Sequence, residues 1–556
     1  MIKKLLFLLF ILSILINSVN ATNCGNQIQC NCGDSLNESQ TMWYNLTNCP
    51  ANGININANN ILLDCNSNKI DGQENGNGII STSHTSVTIK NCKITDFQYG
   101  IHLTGGSTNS IIKDNSVSSN YEGITLYQSP NNFINNNTVE NQSSYGILLA
   151  YYSSGNTVSN NTLKKNHHGI YAYGFSGYNS ITGNIVISNI YGIRFYSGSG
   201  NNVITNNKVS SSKYPGLTLE SSPQLTTNNI VSFNTFDHNA DGIKLMSSHN
   251  NIINNNTITN NGAGILIYND WWENGDSKNN IIQDNFINNS GIVISYGNGN
   301  KIINNIINNI ASYSIWTENC NNNFTNNIGD GLPIIYANSQ TNILNQKVAL
   351  IFLCNAHGST IQNVTVRGSL IMQSNGILLK DTNNTLISES NSSGNRYGVY
   401  LSNSNNNIIA NNSFFNNSEA GVSIFSGTNN IITNNRFIKN GLYNYGYPLY
   451  VNAYVNSAGN IFNVSNLGNY WNDFDLNLGY PTKYIIIDPI AIDYRPLNDE
   501  DNDGYPAWNE CNDKNPNQNP SIIEQCNGVD DNCNGLIDEV CSNYRPTTRG
   551  TKIGSV

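Results

Sequence analysis

The chain has 556 residues and a formal net charge of −10, yet only 11% of its residues are charged. Its 26 Lys and Arg are scattered and form no basic stripe, which excludes a nucleic-acid-binding face. Asn and 30 Tyr fill the place that charged residues hold on an ordinary globular surface.

Residues 1–21 carry Lys3 and Lys4, an apolar run from Leu5 to Ile16, and a small-residue end at Ala21. This pattern predicts a secretory signal peptide cut after Ala21. No later stretch reaches the roughly 18 apolar residues of a membrane span, so the mature chain is expected to be secreted or held at the cell surface. Residues 22–60 do not fit the pattern that follows and are read as a disulfide-rich N-terminal cap, which a solenoid needs over its open edge. Six cysteines (Cys24, Cys30, Cys32, Cys49, Cys65 and Cys92) gather near this end, and the sequence leaves their pairing open. Cys30 and Cys32 are read as disulfide-bonded rather than metal-binding or redox-active. Cys65 and Cys92 hold similar places in adjacent units and are expected to stack rather than bond.

Residues 61–465 are built from one repeated unit. Its clearest copy is NIINNNTITNNGAGILI, residues 251–267. Gly100, Gly123, Gly146, Gly169 and Gly192 recur every 23 residues, and Gly216, Gly242, Gly264 and Gly291 continue the series. A fixed period of this size means a solenoid. Each unit holds two or three short apolar alternations broken by Asn and Gly, which are strands and turns rather than helices. The fold expected is all-β: a parallel β-helix of roughly 15 coils, its rungs stacked at the spacing of paired strands. Inward Ile, Val and Leu would form apolar ladders, and turn asparagines would bond their copies one rung away. The period falters between residues 322 and 353, where longer paired strands or a bulge are expected. Asn37, Asn45, Asn136, Asn141 and Asn160 lead Asn-x-Ser/Thr triplets that allow N-glycosylation.

Three places within the coils could carry chemistry. An insertion places Asp270, Trp271, Trp272 and Glu273 together, a pattern that can stack a sugar ring and bond its hydroxyls. Asp241 and His249 are the candidate catalytic residues, although glycoside hydrolysis needs a second carboxylate close by. His167 and His168 read as an exposed turn. Arg194, which a lyase would want as a base, is isolated in the sequence.

Residues 466–497 trade Asn for aromatic residues and prolines and are read as the C-terminal cap of the solenoid. Residues 498–541 are acidic, carry Cys511, Cys526, Cys533 and Cys541, and are too small to fold without disulfides or metal. Asp499, Asp501, Asp503 and Glu510, with Gly504 at the turn, fit the spacing of a calcium loop. Asp530, Asn532, Asn534, Asp538 and Glu539 repeat that logic. All these ligands are oxygen, so calcium is the ion expected and copper is disfavoured. Residues 542–556 are expected to be disordered.

The Asn-Ile-Gly repeat, the GNYWNDF block at 468–474 and the GLPIIY interruption at 331–336 resemble the NosD-like, carbohydrate-binding and sugar-hydrolase right-handed β-helix superfamily. The terminal segment resembles the MopE-type metal-binding motif. The resemblance implies a right-handed parallel β-helix whose partner is a polysaccharide or a cell-surface glycan. It implies no single activity, since the superfamily holds binding proteins, lyases, hydrolases and epimerases. The function expected is a surface or adhesive glycan-binding role with a calcium-binding terminal module. The alternative is a polysaccharide-active enzyme, a glycoside hydrolase, lyase or epimerase, working in a groove near Asp241, His249 and the Trp271–Trp272 loop.

Overall fold

The computed structural model describes residues 23–268, 275–309, 315–368, 374–441, 451–480, 482–486, 491–499, 501, 503, 505–506 and 509–539. The segment read as a signal peptide, the Asp270–Glu273 insertion, Gly504, Cys541 and residues 542–556 lie outside these residues. The chain forms two compact units. The first comprises residues up to 285 together with 294–298, and the second comprises 286–293 and the residues from 299 onward. The described residues wind into about 17 turns, slightly more than the glycines mark. None of their helices is long and apolar enough to cross a membrane.

In the first unit the regular turns supply two strands of three residues and one of six, shortened to four at Leu217–Glu220. One turn reads Ile111–Lys113, Ser116–Ser118 and Glu122–Tyr127. The next pairs with it in parallel, Ile111 opposite Phe133, Ser116 opposite Thr138, and Ile124 opposite Ile147. The middle residue of each short strand points inward. Ile112, Ile134, Val158, Ile181, Ile204, Val231 and Ile253 are all fully buried and make one apolar ladder.

The doubled asparagines divide two tasks. The first of each pair, Asn136, Asn160, Asn206 or Asn255, takes the left-handed backbone that turns the corner, with φ of 53–56°. The second points inward, as do Asn115, Asn184 and Asn234, which follow Asp114, Gly183 and Phe233 at the same left-handed corner. Asn115, Asn137, Asn161, Asn184, Asn207, Asn234 and Asn256 each donate Nδ2–H to the next amide oxygen at 2.9–3.0 Å, ending at Asn285. The same oxygen accepts the backbone N–H of the previous asparagine, as Asn184 Oδ1 does from Asn161 at 2.9 Å. Corner amides that would be orphaned in the core are satisfied in this way.

The recurring glycine answers to close approach. A Cβ on Gly146 would lie 2.6 Å from the Gly169 carbonyl oxygen, and one on Gly169 would lie 2.6 Å from that of Gly192. Backbone occupies that space, so no side chain fits.

The winding reaches into the segment read as the N-terminal cap. Asn23–Cys24, Asp34–Leu36 and Ile54–Ile56 already pair in parallel and lead to Asn77–Thr82. Disulfides join Cys24 to Cys30, Cys32 to Cys49 and Cys65 to Cys92. The third corrects the expectation of stacked thiols. Adjacent turns bring Cys65 and Cys92 to a Cα separation of 4.7 Å, which is bonding distance.

In the second unit the faltering period is an antiparallel hairpin, Asn327–Gly329 with Leu332–Ala337. Parallel turns then run through Leu350–Cys354, Ile377–Lys380, Tyr397–Ser402 and Ala420–Ile424 to Ala453–Val455. Cys320 bonds Cys354 beside Phe352 and Leu378. The apolar interior closes on Trp471. Its ring is fully buried and stacks on Phe437 at 4.3 Å and on Tyr484 at 4.0 Å. An asparagine ladder ends here too. Asn435 Nδ2 donates to Asn469 at 3.0 Å, and the Asn469 backbone N–H donates to Asp493 at 2.7 Å.

Candidate functional site

The six-residue strands of the first unit put alternate residues on an outer face. Register aligns them into columns along the winding. One column runs Tyr145, His168, Tyr191. A second runs Leu148, Tyr171, Arg194, Thr218, Lys244. A third runs Ala150, Tyr173, Tyr196, Glu220. In the first column the ring centroids follow at 5.2 and 4.6 Å, and Tyr214 extends the stack at 4.7 Å from Tyr191. Tyr171 stacks against both Tyr145 and His168, at 5.2 and 4.9 Å.

Arg194 is isolated only in the sequence. In space its guanidinium lies over the rings of Tyr171, Tyr191 and Tyr196 at 5.3–5.7 Å. Its Nη2–H donates to Glu220 Oε2 at 2.6 Å and its Nε–H to the same oxygen at 3.1 Å. His168 is no exposed turn. It is 6% exposed, and its Nε2 has no hydrogen-bond partner among the described residues. Burial, with His167 and Arg194 adding to it, holds its pKa down at about 3. Burial also raises the Glu122 carboxyl, although Thr125 donates to it at 2.6 Å.

An exposed aromatic edge borders the third column. Tyr152 and Phe175 stack at 5.5 Å with planes 8° apart, and they are 60% and 45% exposed. Tyr151, Tyr152, Phe175 and Tyr178 all hold positive φ, between 44° and 63°. Such backbone costs about 1–3 kcal/mol per bulky residue and clusters at functional sites.

Asp241 opens a strand on this same face, opposite Ala263. Burial raises its pKa, opposed by the Ala263 N–H and by Lys244. His249 lies past the end of that strand in a bridge to Thr227, and its charged neighbours are Lys278 and Asp276. The two candidate catalytic residues thus answer to different neighbours. The sugar-stacking set Asp270, Trp271, Trp272 and Glu273 lies outside the described residues.

At the far end of the second unit, Asp499, Asp501 and Asp503 present carboxylate oxygens within 4.8 Å of one another. Asp501 Oδ2 and both Glu510 oxygens are buried without a hydrogen-bond partner. Burial, the adjoining Asp513 and the nearby Asp503 and Asp501 push the Glu510 pKa up to about 9. Orphaned oxygens packed against like charges fit a hard cation, and every donor here is oxygen. A cavity of about 350 Å³ adjoins, lined by Tyr470, Asp475, Tyr480, Asp499 and Asp513 among others. The Cys511–Cys533 disulfide ties this loop to the second one. There Asp530 accepts the Asn534 and Gly535 N–H groups at 3.1 and 2.8 Å. Asn532 and Asn534 donate to Glu539 Oε1 at 2.8 and 2.6 Å, leaving Glu539 Oε2 without a partner. Asp538 instead accepts the Asn527 and Gly528 N–H groups at 2.9 and 3.0 Å.

The winding, the inward ladders and the long-strand sheets define a right-handed parallel β-helix. The sequence profile described as right handed beta helix region matches residues 190–329 and 321–475, over half of the chain, and the chain belongs to that family. The profile described as periplasmic copper-binding protein (NosD) matches residues 32–215, and the MopE-type metal-binding motif matches residues 511–539. No curated protein matches the chain. Among solved structures it is similar to a PL6-family alginate lyase (11% identity, TM-score 0.40, 79% of this chain and 80% of that one). It is also similar to the A-module of a mannuronan C-5 epimerase from Azotobacter vinelandii (13%, TM-score 0.32, 53% and 80%). A third is the N-terminal fragment of bacteriophage Phi29 gene product 12 (13%, TM-score 0.36, 78% and 88%).

Proposed function

We propose that this is an extracytoplasmic β-helix that binds a glycan along the outer face of its first unit and ends in a calcium-binding module. The observation that carries the reading is the aromatic column Tyr145, His168, Tyr191 and Tyr214 together with the exposed Tyr152–Phe175 pair past the other end of the same long strands. Its rings follow one another at the rung spacing, a repeat close to that of sugar units along a chain. Exposed aromatic faces bordered by polar groups suit pyranose rings. Five disulfides among the described residues support an oxidising compartment.

Affinity electrophoresis through gels loaded with soluble polysaccharides tests the glycan reading. Retardation is expected on at least one polymer, and Tyr152→Ala with Phe175→Ala should weaken it about tenfold, since each ring contact contributes about 0.5–1.5 kcal/mol. Unchanged mobility on every polymer would refute it. Asp241, raised by burial beside Lys244, favours a second reading as a polysaccharide-active enzyme. Mass spectrometry of the same polymers after incubation decides that point. A shortened or unsaturated product abolished by Asp241→Asn would establish it.

For the terminal module, calorimetric titration of chelator-treated protein with calcium should give a dissociation constant on the order of 0.1–1 mM. Asp501→Asn combined with Asp503→Asn should abolish that heat. Binding of copper(II) at the same site in preference to calcium would overturn the assignment.

A further inference from the structure

The cavity of about 350 Å³ beside the carboxylate loop is walled by two parts of the second unit. One wall is the end of the solenoid. Tyr470 lies in the strand Tyr470–Trp471, which pairs with Arg436–Ile438, and Phe474 and Asp475 follow in a single 3-10 turn. The other wall is the start of the carboxylate loop, Asn498 and Asp499, with Asp513. Asn498 ties the walls together. Its oxygen accepts the Trp471 N–H at 3.0 Å, and its Nδ2–H donates to the Trp471 carbonyl at 2.6 Å. The cavity is thus held by bonds made before any ligand arrives, which lowers the cost of filling it.

Its size lies at the low end for ligand cavities, roughly 300–1,000 Å³, and suits one or two sugar rings. Three groups that line it have no hydrogen-bond partner among the described residues: the Tyr470 hydroxyl, the Asn472 Nδ2–H and the exposed Asp475 carboxylate. The Asn472 oxygen is already engaged, accepting the Lys439 N–H at 3.0 Å and the Asn452 Nδ2–H at 3.2 Å. Donors and acceptors side by side match sugar hydroxyls, which do both. Phe474 and Tyr480 add aromatic surface, meeting edge-on at 5.2 Å. Asp475, Asp499 and Asp513 bring negative charge to the border. Arg436, over the Tyr470 ring at 5.1 Å, and Lys514, over the Tyr480 ring at 5.8 Å, bring positive charge. Both signs are present, so hydrogen bonding rather than net charge is left to select the ligand. Asp499 belongs both to this wall and to the trio with Asp501 and Asp503. An ion held by the trio would fix and neutralise that carboxylate where it borders the cavity.

We propose that this cavity is a saccharide site, distinct from the outer face of the first unit, and that calcium in the adjoining loop strengthens it. The linkage rests on the calcium reading above, whereas the cavity stands without it. Coupling is reciprocal, so the sugar tightens calcium by the same factor.

The test is calorimetry of the full chain, calcium-loaded and chelator-treated, with glucose, galactose, mannose, N-acetylglucosamine, cellobiose and maltose as probes. At least one should bind the calcium-loaded protein, and chelation should weaken it about fivefold or more. Tyr470→Phe combined with Asp475→Ala should weaken it about tenfold or more, since both remove bonds to hydroxyls. Tyr152→Ala with Phe175→Ala should leave it unchanged. Binding of none of the probes would overturn the proposal, as would binding that the Tyr470 and Asp475 substitutions leave intact. Equal sugar affinity with and without bound calcium would overturn the linkage. Absence of any calcium heat would remove the calcium reading and the linkage with it, while the two pairs of substitutions still decide the cavity. Asp475 is exposed and phenylalanine keeps the Tyr470 ring, so the variant should fold; if it does not, the calcium dependence of wild-type sugar binding still tests the assignment.

Discussion

Replacing Asn184 by alanine is expected to destabilise the first unit by about 2–4 kcal/mol, because it orphans buried groups on both sides at once. The Asn184 oxygen accepts the Asn161 backbone N–H and Nδ2–H at 2.9 and 3.0 Å. Its amide donates to Asn207 and to the Val158 carbonyl at 2.9 and 2.8 Å. Alanine fills none of these positions, and water has no route to a fully buried site. The control is Asn160→Gly. Asn160 is the exposed corner residue with φ of 55°, which glycine adopts freely, so that variant should stay within about 0.5 kcal/mol of wild type. Thermal and chemical denaturation followed by circular dichroism read both. Equal stability of the two variants would show that the ladder fills space without adding stability.

The second large effect lies at Trp471. Its truncation to alanine should cost the second unit about 3–5 kcal/mol, the usual loss for a buried indole. The ring is stacked on both faces, and its Nε1–H donates to Asp493 Oδ2 at 2.9 Å. Asp493 makes the cap sensitive to pH. Burial raises its carboxyl from 3.8 to about 6, against bonds from Arg495, Trp471 and Asn469 that favour the ionised form. A folded pKa above the unfolded one means that the native state holds the extra proton. The contribution is fully present below about pH 4 and is lost as pH rises through about 6, on the order of 3 kcal/mol in all. Asp473, also raised by burial, acts in the same direction. Asp493→Asn should remove most of the slope between pH 4 and pH 7. It also costs one bond, since the Arg495 N–H that Asp493 Oδ1 accepts at 3.0 Å would then face an amide nitrogen. An unchanged slope in Asp493→Asn would place the titration elsewhere.

The winding was legible because its cause is local. An apolar residue between polar ones must point inward, and a glycine recurring every 23 residues must meet its copy one turn away. The hairpin at 327–337 was legible as a broken period for the same reason. The outer face was harder to read, although it obeys the same interval. Tyr145, His168, Tyr191 and Tyr214 are spaced by 23 residues, as the glycines are. The inward alternation drew attention to Ile and Val, while the outward partners looked like ordinary polar positions. Placing His168 beside His167 as a turn missed that it starts a six-residue strand and is covered by rings from the turns on either side. Cys65 and Cys92 were placed correctly on neighbouring turns, but the sequence does not reveal that stacking brings their Cα atoms within 5 Å, at 4.7 Å. Asp499, Asp501 and Asp503 were expected to lie together because they alternate within five residues, and their carboxylate oxygens come within 4.8 Å of one another.

The asparagine ladder of the first unit also has a direction. Each Nδ2–H points toward the next turn, and a second bond to a backbone carbonyl, as from Asn137 to Ile112 at 2.9 Å, fixes which end of the amide is nitrogen. Every turn therefore offers the same donor edge forward and the same acceptor edge backward. Removing or duplicating one whole period leaves matching edges, whereas a one-residue slip turns every inward side chain outward. The whole period, rather than the residue, is therefore the unit by which such a winding can be lengthened or shortened with its ladder intact.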